Sequence, residues 1–323
     1  MKLLPNFEAP SFTRITYHSS EARDYWGPAF KLASSVCWEA ELKTAADGVR
    51  ACGTCHIPNV GGDRMYEKLA RYGLKWRRLT TVGPSDGFSH RRHAPLREGD
   101  PNFSWFTVVS PDDANLDAFE AAHEESNHNA IGDLLGFPPC CVGFFDQHWP
   151  EYCDPIWQSA QNTPGALELP YVGGPYSIAN PPERPVEVLQ VKAHPATNNM
   201  LRYASARVMF HLTCQLQCGA TINRAEEWIR IMEEITPGGG KATIQLLSLP
   251  MAWDVCHGWA KVVTPAFTVH AGSVETQHRY IVHVEPDPWL LPFTYDKIPG
   301  RVAGQFWPMM DYTKMFEKKK ETA

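Results

Sequence analysis

The chain has 323 residues, 43% of them hydrophobic and 20% charged, enough to bury a sizeable core as one large or two ordinary domains. No window approaches the run of about 20 apolar residues that a membrane helix needs, and the first residues, Met1-Lys2-Leu3-Leu4-Pro5-Asn6, lack the apolar stretch of a secretory signal. A cytoplasmic location away from membranes is therefore expected. In a reducing compartment the nine cysteines read as metal ligands, catalytic groups or buried side chains, not as a disulfide framework.

In chain order, Cys52-Gly53-Thr54-Cys55-His56 carries a Cys-x-x-Cys-His pattern just after Asp47-Gly48. It admits haem attachment, zinc ligation by Cys52, Cys55 and His56, a redox-active thiol pair, or a turn with buried cysteines. Met65 to Tyr72 reads as a helix ending near Gly73. From Arg64 to Arg97 there are nine Lys or Arg against Glu67 and Asp86, whereas Glu98 to Glu183 contains no Lys or Arg at all. With Arg50, the basic stretch is a candidate site for a small anionic substrate or a nucleic-acid backbone; alternatively, it makes salt bridges to the acidic segment.

Phe103 to Val109 is aromatic and β-branched, as in a buried strand. Pro111 then opens a long helical pattern, with Leu116, Phe119, Ala122 and Ile131 at helical spacing, running to Gly136. Within it Glu120-x-x-His123 and Glu125-x-x-His128 resemble steps used in di-iron sites, but those come from separate helices, and an exposed polar face is the alternative. His123 is retained as a candidate acid or base. Pro139 then starts another helix, with Cys140 and Cys141 in its opening turn, where unpaired N–H groups and the helix dipole favour thiolate.

Seven prolines between Pro164 and Pro195 predict an irregular connection. Arg207 to Leu212 reads as a strand leading into Cys214-x3-Cys218. An amphipathic helix follows, with Ile222, Ala225, Ile229, Met232 and Ile235 on one face, stopped by Pro237-Gly238-Gly239-Gly240. Trp259 to Val269 and Arg279 to Val284 are predicted as an antiparallel pair. The fold class is mixed α and β, with an N-terminal region over 1–110 and a metal-binding region over 111–323 interrupted by the Pro-rich connection 164–196.

Two cysteine groups in the same helix-start setting point to one shared centre with Cys140, Cys141, Cys214 and Cys218 as ligands. A 4Fe-4S iron–sulfur cluster is the first expectation, because such a cluster needs three or four thiolates and gains from both helix ends. Zinc is the alternative. The function read from this is an iron–sulfur enzyme acting on a small anionic substrate, by sulfur incorporation or lyase chemistry in a biosynthetic pathway, with an electron or sulfur donor protein as partner. Cys52, Cys55 and His56 would be auxiliary catalytic groups and Arg50 a substrate-binding residue. The competing readings are a zinc-stabilised protein contacting nucleic acid and a non-haem iron enzyme using the Glu and His residues of 120–128.

The string Leu135-Gly136-Phe137-Pro138-Pro139-Cys140-Cys141-Val142, with Phe145, resembles an uncharacterised prokaryotic family having a Leu-Gly-Tyr-Pro-x-Cys-Cys-Val-x-x-Phe pattern. Phe137 replaces its tyrosine. The likeness extends to His211-x-x-Cys214-x3-Cys218, where Thr213 stands in place of the family's proline, and covers residues 130–270. It implies that both cysteine groups belong to one constellation, and carries no activity.

Overall fold

The computed structural model describes residues 15–17, 19–83, 99, 101, 103–148, 159, 162–164, 167–172, 187–191, 193–249, 251–254, 261–264 and 266–270. Helices and two antiparallel sheets alternate along the chain, so the mixed α and β class holds. The order is β1 (Ile15–Tyr17), α1 (Ser20–Ala46), β2 (Gly53–Pro58), α2 (Asp63–Arg71), β3 (Lys75–Val82), β4 (Ser104–Ser110), α3 (Asp113–Glu124), α4 (His128–Leu134), α5 (Pro139–His148), β5 (Leu167–Val172) and β6 (Glu187–Val191). After two 3-10 turns come α6 (Gly219–Ile235), α7 (Gly239–Leu247), β7 (Met251–Asp254), β8 (Lys261–Val263) and β9 (Phe267–His270).

The larger sheet has six strands in the order β1-β9-β8-β7-β6-β5, and the smaller has three in the order β2-β4-β3. Helix α1 joins them. Its buried residues Phe30, Ala33, Cys37 and Ala40 recur three or four apart and meet α6, α7 and the larger sheet in one apolar cluster that includes Trp228, Leu246, Val262 and Phe267. Leu42 and Ala45, at its far end, pack instead with Ile57, Leu69 and Val109 of the smaller sheet and α2. The opposite face of that sheet buries Val108 against Leu116 and Phe119 of α3.

The helix at Met65 to Tyr72 and the strand at Phe103 to Val109 form within a residue or two of their expected bounds. Several expectations need correction. The long helix from Pro111 is two helices, because Ser126 adopts a left-handed conformation (φ 54°) and Asn127 caps a new start by accepting from the Ala130 N–H. Arg207 to Leu212 is not a strand: Ala206, Val208, Met209 and Leu212 are buried in an irregular segment, so its apolar run records burial and not sheet pairing. The Pro-rich connection contributes β5 and β6, with Pro170 paired to Leu189 beyond a register shift. The strand expected over Trp259 to Val269 is a hairpin, β8 and β9, turned where the Thr264 hydroxyl accepts from the Ala266 and Phe267 N–H groups. The partner strand expected at Arg279 to Val284 lies outside the described residues.

The three-glycine stop after α6 has a second use. Gly238 takes φ +86° while Gly239 and Gly240 begin α7 so close to its neighbours that a Cβ on Gly239 would lie 2.7 Å from Val36 Cγ1 and 2.8 Å from the Met232 carbonyl oxygen. Gly239→Ala is therefore expected to destabilise the fold by about 1–3 kcal/mol through overpacking despite alanine's better helix propensity. Gly143→Ala, at an exposed position of α5 with open space around the added methyl, should instead stabilise by about 0.5–1 kcal/mol. Urea unfolding of the two variants beside wild type checks both signs.

Candidate metal centre

The site forms where two helix starts meet. Gly136, with φ +68°, turns the chain after α4, and Pro139 opens α5, which sets Cys140 on the exposed side of the first turn and Cys141 on the buried side. From the other direction, Cys218 is the N-cap residue of α6, and Cys214 lies in the loop before it. That loop is tied down at successive carbonyls: Ser159 donates to the Thr213 carbonyl, Asn162 Nδ2 to that of Cys214 (2.8 Å), and the Leu216 N–H donates to the Thr163 hydroxyl (2.7 Å). Arg224, one turn into α6, reaches across to the Gly136 carbonyl, locking the two helix starts together.

The four sulfurs converge. Cys218 Sγ is 3.7 Å from both Cys140 Sγ and Cys141 Sγ, those two are 4.0 Å apart, and all four ligand atoms lie within 4.8 Å of one another. An ion bound at about 2.3 Å by four tetrahedral sulfurs has sulfur–sulfur edges of about 3.8 Å. Cys140, Cys141, Cys214 and Cys218 are thus positioned to hold a metal ion, and among the described residues they are the one group of three or more ligating side chains so arranged.

The environment treats the thiols unequally. Burial pushes the Cys141 thiol up to about 12, and burial with the neighbouring Cys141 raises Cys214 as well. Burial also opposes ionisation of Cys218, but the polar groups of nearby Thr221 and the Cys214 and Cys140 thiols outweigh it and bring Cys218 down to about 7. Thr221, the third residue of α6, also lies 3.4 Å from Cys141 Sγ through its hydroxyl, and His211 Nε2 is 3.0 Å from that same oxygen. The His211 ring stacks on Phe137, its centroid 5.0 Å away, and burial together with the Arg224 charge lowers its pKa to about 3, so it is neutral. Thr221 was not among the expected site residues, and its mark in the sequence is its place three residues after Cys218.

The remaining candidates fall elsewhere. Cys52 and Cys55, three apart along an extended segment, point to opposite faces of the smaller sheet: Cys52 packs with Val108 and Phe119, and Cys55 with Leu42 and Leu69. The spacing that would bring them together in a turn separates them here, and burial raises their thiols to about 11 and about 12. His56 is exposed, with its ring beside Phe106, and His123 is half-buried against the same ring. Glu120 and His123 sit on α3, whereas His128 begins α4 beside Phe145, so the Glu and His steps belong to two helices.

Arg50 is buried in an ion pair with Glu41 (2.8 Å), donates to the Thr44 hydroxyl (2.9 Å) and lies over the Trp228 ring. This part of the chain supports the site, because the Cys52 N–H bonds the Leu134 carbonyl (2.9 Å) and a Cβ at Gly136 would meet the Arg50 Cβ at 2.9 Å. In the basic stretch, Lys75 and Arg77 pair with Asp113 and Asp117 of α3, and Lys68 with Glu39.

Comparison with family models, with curated proteins and with solved structures found no match to this chain. No helix among the described residues is long and apolar enough to cross a membrane.

Cys141→Ser and Cys218→Ser are expected to lose bound metal, measured as metal per chain after gel filtration, whereas Cys52→Ser keeps it. Arg50→Met strands the Glu41 carboxylate in the interior and should cost about 3–5 kcal/mol of stability in urea unfolding. Ion affinity should rise with pH, since the thiols of Cys141 and Cys214 give up protons when they bind; competition with a chelator at several pH values measures this.

Proposed function

We propose that the protein binds one soft divalent ion, zinc first of all, through Cys140, Cys141, Cys214 and Cys218, and that the ion fastens the α4–α5 segment to the start of α6. The carrying observation is the sulfur spacing: all four atoms fall within 4.8 Å, matching the edges of a single tetrahedral thiolate site. In a four-iron cluster each thiolate ligates its own iron, which spreads the sulfurs to roughly 6 Å, so this arrangement favours one ion over the cluster expected from the cysteine pattern alone. Tetrahedral all-sulfur sites select zinc or a single iron, and two helix starts supply positive dipole ends to the anionic centre.

The ion would add a clamp beside the chain's own contacts at this junction, which include the Arg224 to Gly136 bond, the Phe137 stack on His211 and the thiols themselves. Binding free energy at such a site becomes folding free energy. Enzyme chemistry at the centre, with a small anionic substrate or a sulfur donor, remains a proposal that the exposed position of Cys140 leaves room for.

Metal and sulfide analysis of protein purified without oxygen tests the reading. One zinc per chain with no acid-labile sulfide, in a colourless protein whose melting temperature falls on chelation, is the expected result. Brown protein with several irons and matching labile sulfide would overturn the single-ion reading and restore the cluster. Absence of any bound metal, with no uptake from added zinc, would overturn both.

A further inference from the structure

The four cysteines are not held alike. Cys141 is 1% exposed, accepts from the Cys214 N–H at 3.4 Å and lies 3.4 Å from the Thr221 hydroxyl. Cys218 is also buried and fixed as the N-cap of α6, with its sulfur 3.7 Å from those of Cys140 and Cys141. Cys214 is half-buried in a loop whose carbonyl is tied to Asn162. Cys140 differs from all three. It is exposed, and among the described residues the polar contacts of its sulfur are with other sulfurs, Cys141 at 4.0 Å and Cys218 at 3.7 Å.

Resting on the single-ion reading, we propose that Cys141, Cys214 and Cys218 form a permanent three-thiolate cradle and that Cys140 is the exchangeable fourth ligand, giving way to an incoming thiol. Metal sites that act on ligands keep three protein donors and one replaceable position, whereas purely structural sites are closed by four protein donors; the exposed Cys140 is the donor here that can leave. A soft ion in a sulfur cradle selects a soft donor, which makes a small thiol the chemical class of the incoming ligand. The exchange balances as a substitution: the incoming thiol loses its proton and its sulfur bonds the ion, the bond from the ion to Cys140 breaks, and the proton passes to the Cys140 thiolate. No electron is transferred.

The Thr221 and His211 pair explains why the cradle stays while Cys140 leaves. A metal-bound thiolate cannot donate, so the Thr221 hydroxyl gives its hydrogen to Cys141 Sγ and its oxygen accepts from the His211 Nε2–H. The same direction leaves His211 Nδ1 as a bare ring nitrogen, and that buried atom has no hydrogen-bond partner among the described residues. The stack on Phe137 holds the ring plane for this bond. Thr221 and His211 are therefore positioning residues that anchor one ligand from outside the coordination sphere, a kind of support whose removal typically weakens metal binding by about 10–100-fold.

Cobalt(II)-loaded full-length protein tests the asymmetry, because its charge-transfer absorption grows with the number of thiolates bound. Cys140→Ala should retain one cobalt with three-thiolate intensity, and added ethanethiol should restore the four-thiolate spectrum. Cys141→Ala and Cys218→Ala should fail to hold cobalt. Thr221→Val should bind cobalt about 10–100-fold more weakly while keeping the wild-type circular dichroism, and Thr221→Ser should restore binding. In wild type, iodoacetamide should label Cys140 ahead of the other three, as read by peptide mass spectrometry. Equal loss of cobalt in Cys140→Ala and Cys141→Ala, no spectral response to ethanethiol, or equal labelling of the four cysteines would overturn the asymmetric cradle and leave the single-ion reading standing. Wild type that takes up no cobalt would instead remove the single-ion reading itself.

Discussion

The structure depends on bringing four sulfurs, which repel one another once ionised, to within 4.8 Å. Such a cluster is tolerated only where positive potential surrounds it. Here that potential comes from the starts of α5 and α6, from N–H groups aimed at sulfur, and from the Arg224 guanidinium on the Gly136 carbonyl. The helices meet end to end because Gly136 adopts a backbone conformation open to few other residues and Pro139 supplies a preset first turn.

Support for this junction reaches well into the molecule. Arg50 packs its Cβ against Gly136 and sends its guanidinium to Glu41 and Trp228, so a residue of α1 and one of α6 are joined through a side chain that also braces the turn before α5. A buried ion pair of this kind is costly to break and gives modest net stability, so its contribution is to fix one arrangement among several compact ones. The smaller sheet contributes through the Cys52 N–H to the Leu134 carbonyl, which attaches the start of β2 to the end of α4.

Much of this was legible in the sequence, and the parts that were not share physical causes. The convergence of both cysteine groups could be read because each lies beside a helix-start signal, Gly-x-x-Pro before Cys140 and the amphipathic run after Cys218. The nature of the centre could not, because spacing along the chain carries no distances between sulfurs. Cys52 and Cys55 misled because the same separation joins side chains in a helix or turn and parts them on a strand. Arg207 to Leu212 misled because burial produces an apolar run whether or not the backbone pairs. Helix α1, the longest element among the described residues, was missed altogether: its stripe mixes Ala, Cys, Glu41 and Thr44 with few large apolar residues, and a buried Glu reads as polar until its Arg50 partner is seen.

The separation of the two halves of the centre has a consequence in time. Cys141 and Cys218 are 77 positions apart, and ribosomes add roughly 5–20 residues per second, so the adjacent thiols of Cys140 and Cys141 emerge about 4–15 s before the residue that caps α6 exists. During that interval the nascent chain carries a vicinal dithiol with no partner helix to enclose it. Oxidants or metals that capture the pair then compete with assembly of the finished centre, so the order of synthesis, as much as the final geometry, selects what the centre contains.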